Sequence, residues 1–335
     1  MAVGTPADEL RQTLRRLVRR TQEMGLEPWL WGEGVALLGL MHAADALGDP
    51  EPLRFVRGWA DRHLCAGYHV EHVNNVIPGA ALVLLHEQTG EPRYLEEAEK
   101  LADWVMHTAE RAPNGALFHW PDGVWVDTVF MAGALLSRLG ARTGRIDMVD
   151  EAGRQLLTHA EILRDPGTGL FAHGSHMGRT LPCYWGRGNA WMALACVEFL
   201  EACSAAHTMA GTVRWLLESQ AAALVALQPP DGIWPVLVDG AVARPETSGA
   251  AGIAAAWLRA WRNGWLDDSV HDAAWRVIEA LARYIAADGA LTRVSAGTVL
   301  QLIPDGYAVI RDDEIQPWGQ GLAMMAYAAA LEAAA

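Results

Sequence analysis

Two kinds of helical stretch alternate along this chain, and the alternation restricts its fold more than any other feature. Residues 7–20 carry Leu10, Leu14 and Leu17 at spacings of four and three, the mark of a helix with one apolar stripe. Residues 32–47 are apolar nearly all round, as a helix buried on most sides must be. The same reading predicts amphipathic helices over 52–64, 95–108, 147–163, 212–227 and 269–285. Apolar helices are predicted between them, over 78–88, 127–139, 189–202, 247–261 and 319–331. The apolar ones also open alike: WGEG (31–34), NNVIPG (74–79), WVDT (125–128), WGRG (185–188), ETSG (246–249) and PWGQG (317–321). Measured from about residues 31, 75, 125, 185, 246 and 318, these openings recur at intervals of 44, 50, 60, 61 and 72 residues. Such a period marks a repeated helical hairpin whose neighbours share one core. Six inner and six outer helices close into an all-α toroid, and no stretch has linker composition, so 1–335 reads as a single domain.

If the inner helices run parallel, their N-termini converge on one mouth and favour an anion there, each by about 0.3–1 kcal/mol. The connections 109–124, 164–186, 228–245 and 286–317 are long enough to be functional. The last two carry the alternating stretches GIWPVLVDGAVARP and GALTRVSAGTVLQLIPDG, which predict short hairpins.

Composition narrows the function. Apolar residues make up 51% of 335 and charged ones 20%, which supplies a core and excludes wholesale disorder. A net charge of −14 argues against nucleic-acid and anionic-membrane partners. No apolar run approaches the roughly twenty residues of a membrane span, and the polar N-terminal stretch lacks a signal peptide's apolar region. Cys65, Cys183, Cys196 and Cys203 have neither CxxC spacing nor disulfide-framework density, so a cytoplasmic home is expected. Fifteen tryptophans against five phenylalanines point to sugar rings, although core packing accounts for most of them.

The densest polar–aromatic cluster is Tyr184-Trp185-Gly186-Arg187-Gly188-Asn189-Ala190-Trp191. Its arginine fork suits a carboxylate. Equally, Arg187 could pair with a core acid while Trp185 and Trp191 pack. Trp125-Val126-Asp127-Thr128 sets an acid at another inner-helix start, as a simple cap or as an acid in an aromatic pocket. Burial there raises a carboxyl pKa and a helix N-terminus lowers it. His173 and His176 lie three apart without a third ligand at metal spacing, so no metal and no cofactor are expected. Glu246-Thr247-Ser248-Gly249 reads as a capping arrangement first and a sugar contact second. Glu33, Glu71 and His72 are polar residues near helix starts to which spacing assigns no role. GxSxG, P-loop, GxGxxG and HExxH patterns are missing, which removes common hydrolase, nucleotide-binding and zincin readings.

In chain order, Trp125-Val126-Asp127-Thr128 with Phe130-Met131-Ala132, WGRGNAW (185–191), the DG-W pattern of 231–234, ETSG (246–249) and PWGQG (317–321) resemble the unsaturated glucuronyl and rhamnogalacturonyl hydrolases. These are glycoside hydrolase families 88 and 105, and the resemblance covers about residues 25–330. It implies an (α/α)6 barrel acting on an oligosaccharide with a 4,5-unsaturated uronic acid at its non-reducing end. Hydration of the C4=C5 bond would release that sugar, so one positioned acid suffices where ordinary glycosidases need two. The resemblance implies Asp127 as that acid, Arg187 holding the uronate or orienting the sugar, Trp185 and Trp191 as stacking walls, and His173 as a polar contact. Asn189, Asn74, Asn75, Trp31 and Trp125 complete the expected substrate-binding set.

Two positions depart from the family pattern. Where a second Asp is common, this chain reads Glu71-His72-Val73-Asn74-Asn75; an asparagine transfers no proton but still bonds a hydroxyl. After His173-Gly174, Ser175-His176 replaces the usual Trp-Asp. Two other functions fit the same toroid: a histidine-based sugar epimerase or isomerase, and a carbohydrate-binding relative without turnover.

Overall fold

Six helices form an inner ring in the computed structural model, which describes residues 6–334: α2 (Trp31–Leu47), α4 (Pro78–Thr89), α6 (Asp127–Thr143), α8 (Gly186–Ala202), α10 (Thr247–Arg262) and α13 (Pro317–Ala333). Each packs on the next, and α13 returns to α2, so the ring closes. The outer layer is α1 (Pro6–Glu23), α3 (Pro50–Ala66), α5 (Pro92–His107), α7 (Ile146–Leu163), α9 (Ala210–Leu227) and α11 (Asp268–Leu281). Five of these helices start on proline (α1, α3, α4, α5 and α13), where the missing N–H costs nothing. The inner helices are buried on nearly every side, as their unpatterned apolarity predicts; α1 buries only its stripe, Leu10, Leu14, Leu17 and Val18 among it. The architecture is an (α/α)6 barrel.

The closing contact is backbone against backbone. A Cβ on Gly39 of α2 would fall 2.5 Å from the carbonyl oxygen of Gly321 in α13, so neither position has room for a side chain. At that seam α1 lies over α13, where Gln320 donates to the carbonyl oxygens of Leu17 (3.4 Å) and Gly289 (3.1 Å). No helix among the described residues is long and apolar enough to cross a membrane.

The long connections gather at one end. β1 (Gly123–Trp125), β2 (Gly174–His176) and β3 (Arg179–Leu181) pair antiparallel in that order, with Trp125 opposite Gly174. β4 (Pro235–Leu237) and β5 (Val242–Pro245) form the hairpin expected from GIWPVLVDGAVARP. The alternating stretch 289–306 differs from its prediction: apart from an isolated bridge between Ile285 and Leu291, it is an irregular strap that ends in the short α12 (Asp305–Ala308). Arg187 captures the Ser295 and Ala296 carbonyls that a strand ladder would use, and Tyr307 is drawn fully into the interior.

Candidate active site

All six inner-helix starts share one end of the barrel, and side chains link them around it. Trp31 stacks on Trp318 at 4.3 Å, joining α2 to α13. Ile77 and Pro78 lie so near Gly34 that a Cβ there would clash, which joins α4 to α2. Asn74, ahead of α4, reaches His119 (3.4 Å between Nδ2 and Nε2), and His119 Nδ1 meets Thr128 Oγ1 of α6 at 3.0 Å. Arg187 at the start of α8 contacts Ser248 of α10 and lies 5.5 Å from the Trp318 ring. The parallel arrangement and its convergent N-termini are therefore present.

Asp127 is the first residue of α6 and makes no cap; Val126 holds the cap position without a side-chain bond. Pairing of β1 with β2 brings the chain beside Asp127 against His173, whose carbonyl oxygen accepts from Val126 N at 2.9 Å. Asp127 Oδ2 then lies 3.4 Å from His173 Nε2. Neither atom has a hydrogen-bonding partner, although both are buried. On the other side of the ring, His173 Nδ1 lies 2.7 Å from Tyr307 Oη. Burial pushes the Tyr307 hydroxyl pKa up, so it stays protonated and donates to Nδ1. The proton of a neutral His173 is then on Nε2, facing the carboxylate. Burial pushes the Asp127 carboxyl up, but His173, His119 and Arg187 outweigh it, and its pKa lies below the ordinary 3.8. The atom facing Asp127 Oδ2 is an imidazole nitrogen, not a guanidinium or an ammonium.

His119 extends the cluster. It stacks on Trp125 at 4.6 Å and meets His72 edge-on at 4.8 Å, and burial pushes its pKa down to about 3, so it stays neutral. Asn74 Oδ1 is buried and has no partner, which leaves an acceptor for a hydroxyl beside His119. Asn75 is committed elsewhere: its Oδ1 accepts from His72 N at 3.2 Å and its carbonyl from Trp29 Nε1 at 2.7 Å. Glu71 is exposed beside His69, while Glu33 is buried at the start of α2, where burial raises its pKa against a backbone hydrogen bond.

Several expected sugar contacts are already used by the protein. Arg187 is fully buried, with Nη1 donating to Ser248 Oγ (3.1 Å) and the Ser295 carbonyl (2.9 Å). Its Nη2 donates to the Ala296 carbonyl (3.1 Å) and Thr298 Oγ1 (3.2 Å), which leaves Nε alone without a partner. The two-pronged carboxylate grip expected of its fork is therefore not free; the guanidinium fastens the strap and lies 4.3 Å over Trp185. Burial pulls its pKa down to about 10 against Glu246 and Asp127, so it remains a cation. Trp191 is also not a wall: it is fully buried and stacks on Phe130 at 5.1 Å. Trp185 lies beneath His173 at 4.4 Å and is 1% exposed, so it supports the imidazole rather than facing a sugar. Asn189 clamps Phe171 through both its N–H and its carbonyl at 3.0 Å, holding the segment that carries His173. Glu246 caps α10 as expected, accepting from Gly249 N and Ser248 Oγ at 2.5 Å. Trp31, Trp125 and Trp318 remain partly exposed at the mouth, and His176 is exposed on β2.

His119 and Tyr307 were missed by sequence reasoning. Each stands alone in a long connection, and only the length of those connections hinted at function.

The family model for Glycosyl Hydrolase Family 88 matches residues 11–334. The unsaturated rhamnogalacturonyl hydrolase YesR of Bacillus subtilis (strain 168) is 32% identical over 330 residues, covering 95% of this chain and 93% of its own. A possible member of family 105 from Salmonella enterica serovar Paratyphi A has a TM-score of 0.92 at 27% identity, covering 99% of this chain and 96% of that one. The unsaturated glucuronyl hydrolase of a Bacillus species shares the fold, with a TM-score of 0.76 at 17% identity over 94% of both chains. With the family match leaving out only ten residues at one end and one at the other, the chain belongs to glycosyl hydrolase family 88.

Proposed function

We propose that this protein is a hydrolase that removes a 4,5-unsaturated uronic acid from the non-reducing end of lyase-generated oligosaccharides by hydrating the C4=C5 bond. The observation that carries the reading is the buried Asp127 Oδ2, which makes no hydrogen bond and faces His173 Nε2 at 3.4 Å, at a mouth of convergent helix N-termini. Protonated Asp127 gives its proton to C4, and positive charge develops at C5 and the ring oxygen. Water adds at C5 and returns a proton to the Asp127 carboxylate. The C5 hemiketal opens, and C1, now a hemiacetal, expels the aglycone alcohol. The helix N-termini favour the uronate. That anion, and the sugar's displacement of water, both raise the Asp127 pKa on binding and so supply the protonated form.

In this reading His173, held by Tyr307, orients the acid, and Asn74 with His119 receives a sugar hydroxyl. Arg187, Asn189 and Trp185 support these groups from behind, while Trp125, Trp31 and Trp318 wall the mouth. One hydrophobic cluster running from Leu10 to Leu331 supports a single domain over 1–335. Four unpaired cysteines support a cytoplasmic setting. Incubation with a lyase-generated unsaturated disaccharide tests the reading: enoate absorbance should be lost and a reducing sugar released. Isomerisation without bleaching, or calorimetric binding without turnover, would replace it.

A further inference from the structure

The core and the mouth do not use up the tryptophans. Trp261, Trp265 and Trp275 stand half-buried on the outer wall, where α10 turns into α11. Two of them are occupied: Trp261 Nε1 donates to Asp268 Oδ1 at 2.9 Å, and Trp275 Nε1 to His271 Nε2 at 2.7 Å. The indole N–H of Trp265 has no protein partner among the described residues. Gly264 sets that side chain in place. At φ +72° it ends α10 with a left-handed turn, its N–H donating to the Trp261 carbonyl and that of Trp265 to the Ala260 carbonyl, both at 2.9 Å. Leu266 then enters the core, 8% exposed, and Trp265 lines a groove of about 660 Å³ between α9 and the start of α11. Polar groups face it there. Arg214 and Glu218, one turn apart on α9, are both about half exposed and meet only through Nε and Oε1, at 2.7 Å. Asp267 caps α11 through Oδ1 alone, which accepts from Ser269 N, Ser269 Oγ and Val270 N. Among the described residues, the Arg214 Nη atoms, Glu218 Oε2 and Asp267 Oδ2 are left for a ligand.

We propose that this groove is a second carbohydrate site, which takes a neutral pyranose with one face on Trp265 and its hydroxyls on Arg214, Glu218 and Asp267. A sugar ring is apolar on its C–H faces and polar around its rim, and an indole flanked by charged hydrogen-bonding groups matches both. The volume suits a small ligand. Charge decides against acidic sugars, since Glu218 and Asp267 outnumber Arg214 in a chain of net charge −14. A peptide fits less well. Helices and a turn border the groove, so no strand edge offers backbone hydrogen bonds, and the Arg214–Glu218 pair interrupts the apolar stripe that a docked helix needs. No residue of the mouth lines the groove, so the site holds its saccharide independently of the ring attacked at Asp127.

The probes are saturated neutral tetrasaccharides of β-linked galactose, glucose or xylose, with tetragalacturonate as the acidic counterpart. Each is titrated to about 10 mM into the whole protein while proton–nitrogen NMR follows the indole N–H of Trp265, identified by its loss in Trp265→Phe. At least one neutral probe should move that signal with a Kd of about 1 mM, and tetragalacturonate should bind roughly tenfold more weakly or not at all. Arg214→Ala and Glu218→Ala, at half-exposed side chains on α9, should each weaken binding severalfold with the fold intact. Trp120→Ala, at the mouth, should leave it unchanged. A Trp265 signal that no neutral probe moves, tetragalacturonate binding as tightly as the neutral chains, or undiminished affinity in both α9 variants would overturn the proposal. Binding is read here without turnover. An enzyme inert on unsaturated disaccharides would therefore remove the hydrolase reading and leave this site standing, and an unmoved signal would do the reverse.

Discussion

At Asp127 the sign of the pKa shift decides how activity depends on pH. Only the protonated carboxyl donates to C4, so kcat/KM is expected to fall as pH rises through its range. Burial works for protonation, but His173, His119 and Arg187 work against it with greater effect, which places that limb on the acid side. His173→Gln removes the strongest of the opposing influences and should move the limb to higher pH. An unmoved limb in the kcat/KM profile would separate the pair. Asp127→Asn should lower kcat by about 10²–10⁴ with circular dichroism unchanged, and near-normal turnover would end its assignment. Tyr307→Phe leaves His173 Nδ1 without its partner and should lower kcat more than it raises KM. The sequence marked the place of Asp127, at a helix start two residues after Trp125, and its expected role came from the family resemblance. Tyr307 was not legible, since 134 residues separate it from the histidine it holds. Trp191 and Arg187 show the opposite failure: a conspicuous motif was read as a ligand surface, although its side chains face inward.

Among the elements, helices were legible and the strap was not. Periodicity reports which face of a helix is buried, and every predicted helix formed, with ends displaced by a few residues; α8 begins at Gly186 rather than 189. The strap's alternation of apolar and polar residues reads as a strand, but a strand also needs a partner, and here a guanidinium from α8 takes its carbonyls. Placement of His173 depends likewise on a side chain from α8. Asn189→Ala should free Phe171 N and its carbonyl, both buried, and lower stability by about 1–3 kcal/mol. Denaturant titration measures that loss, and a fall in kcat beside it would report the displaced histidine. An unchanged unfolding midpoint would mean that the segment is held by β2 and β3 alone.

Over the whole molecule, polarity runs from one rim of the barrel to the other. The C-terminal halves of four inner helices hold a buried ionic cluster, with Glu198 between Arg138 (2.7 Å) and Arg259 (2.8 Å), and His42 accepting from Arg138 at 3.2 Å. Despite burial, the two guanidinium groups pull the Glu198 pKa down to about 2. Glu198→Ala leaves Arg138 without its carboxylate, while Arg259 keeps Glu201, and should cost about 3–5 kcal/mol in thermal or chemical unfolding. Because that cluster is at the rim opposite Asp127, kcat at low temperature should be retained; a parallel loss would show that the rims are coupled. The sequence revealed the closed ring through its repeated openings, but not this second rim, whose members are single charges spread along separate helices.

Because α13 is flanked by α1 and α2, two helices made early await one made much later. A ribosome making this polypeptide therefore leaves the Leu14–Leu17 seam exposed until α13 has emerged to shield it. Products stalled or truncated before α13 should accordingly recruit chaperones or aggregate.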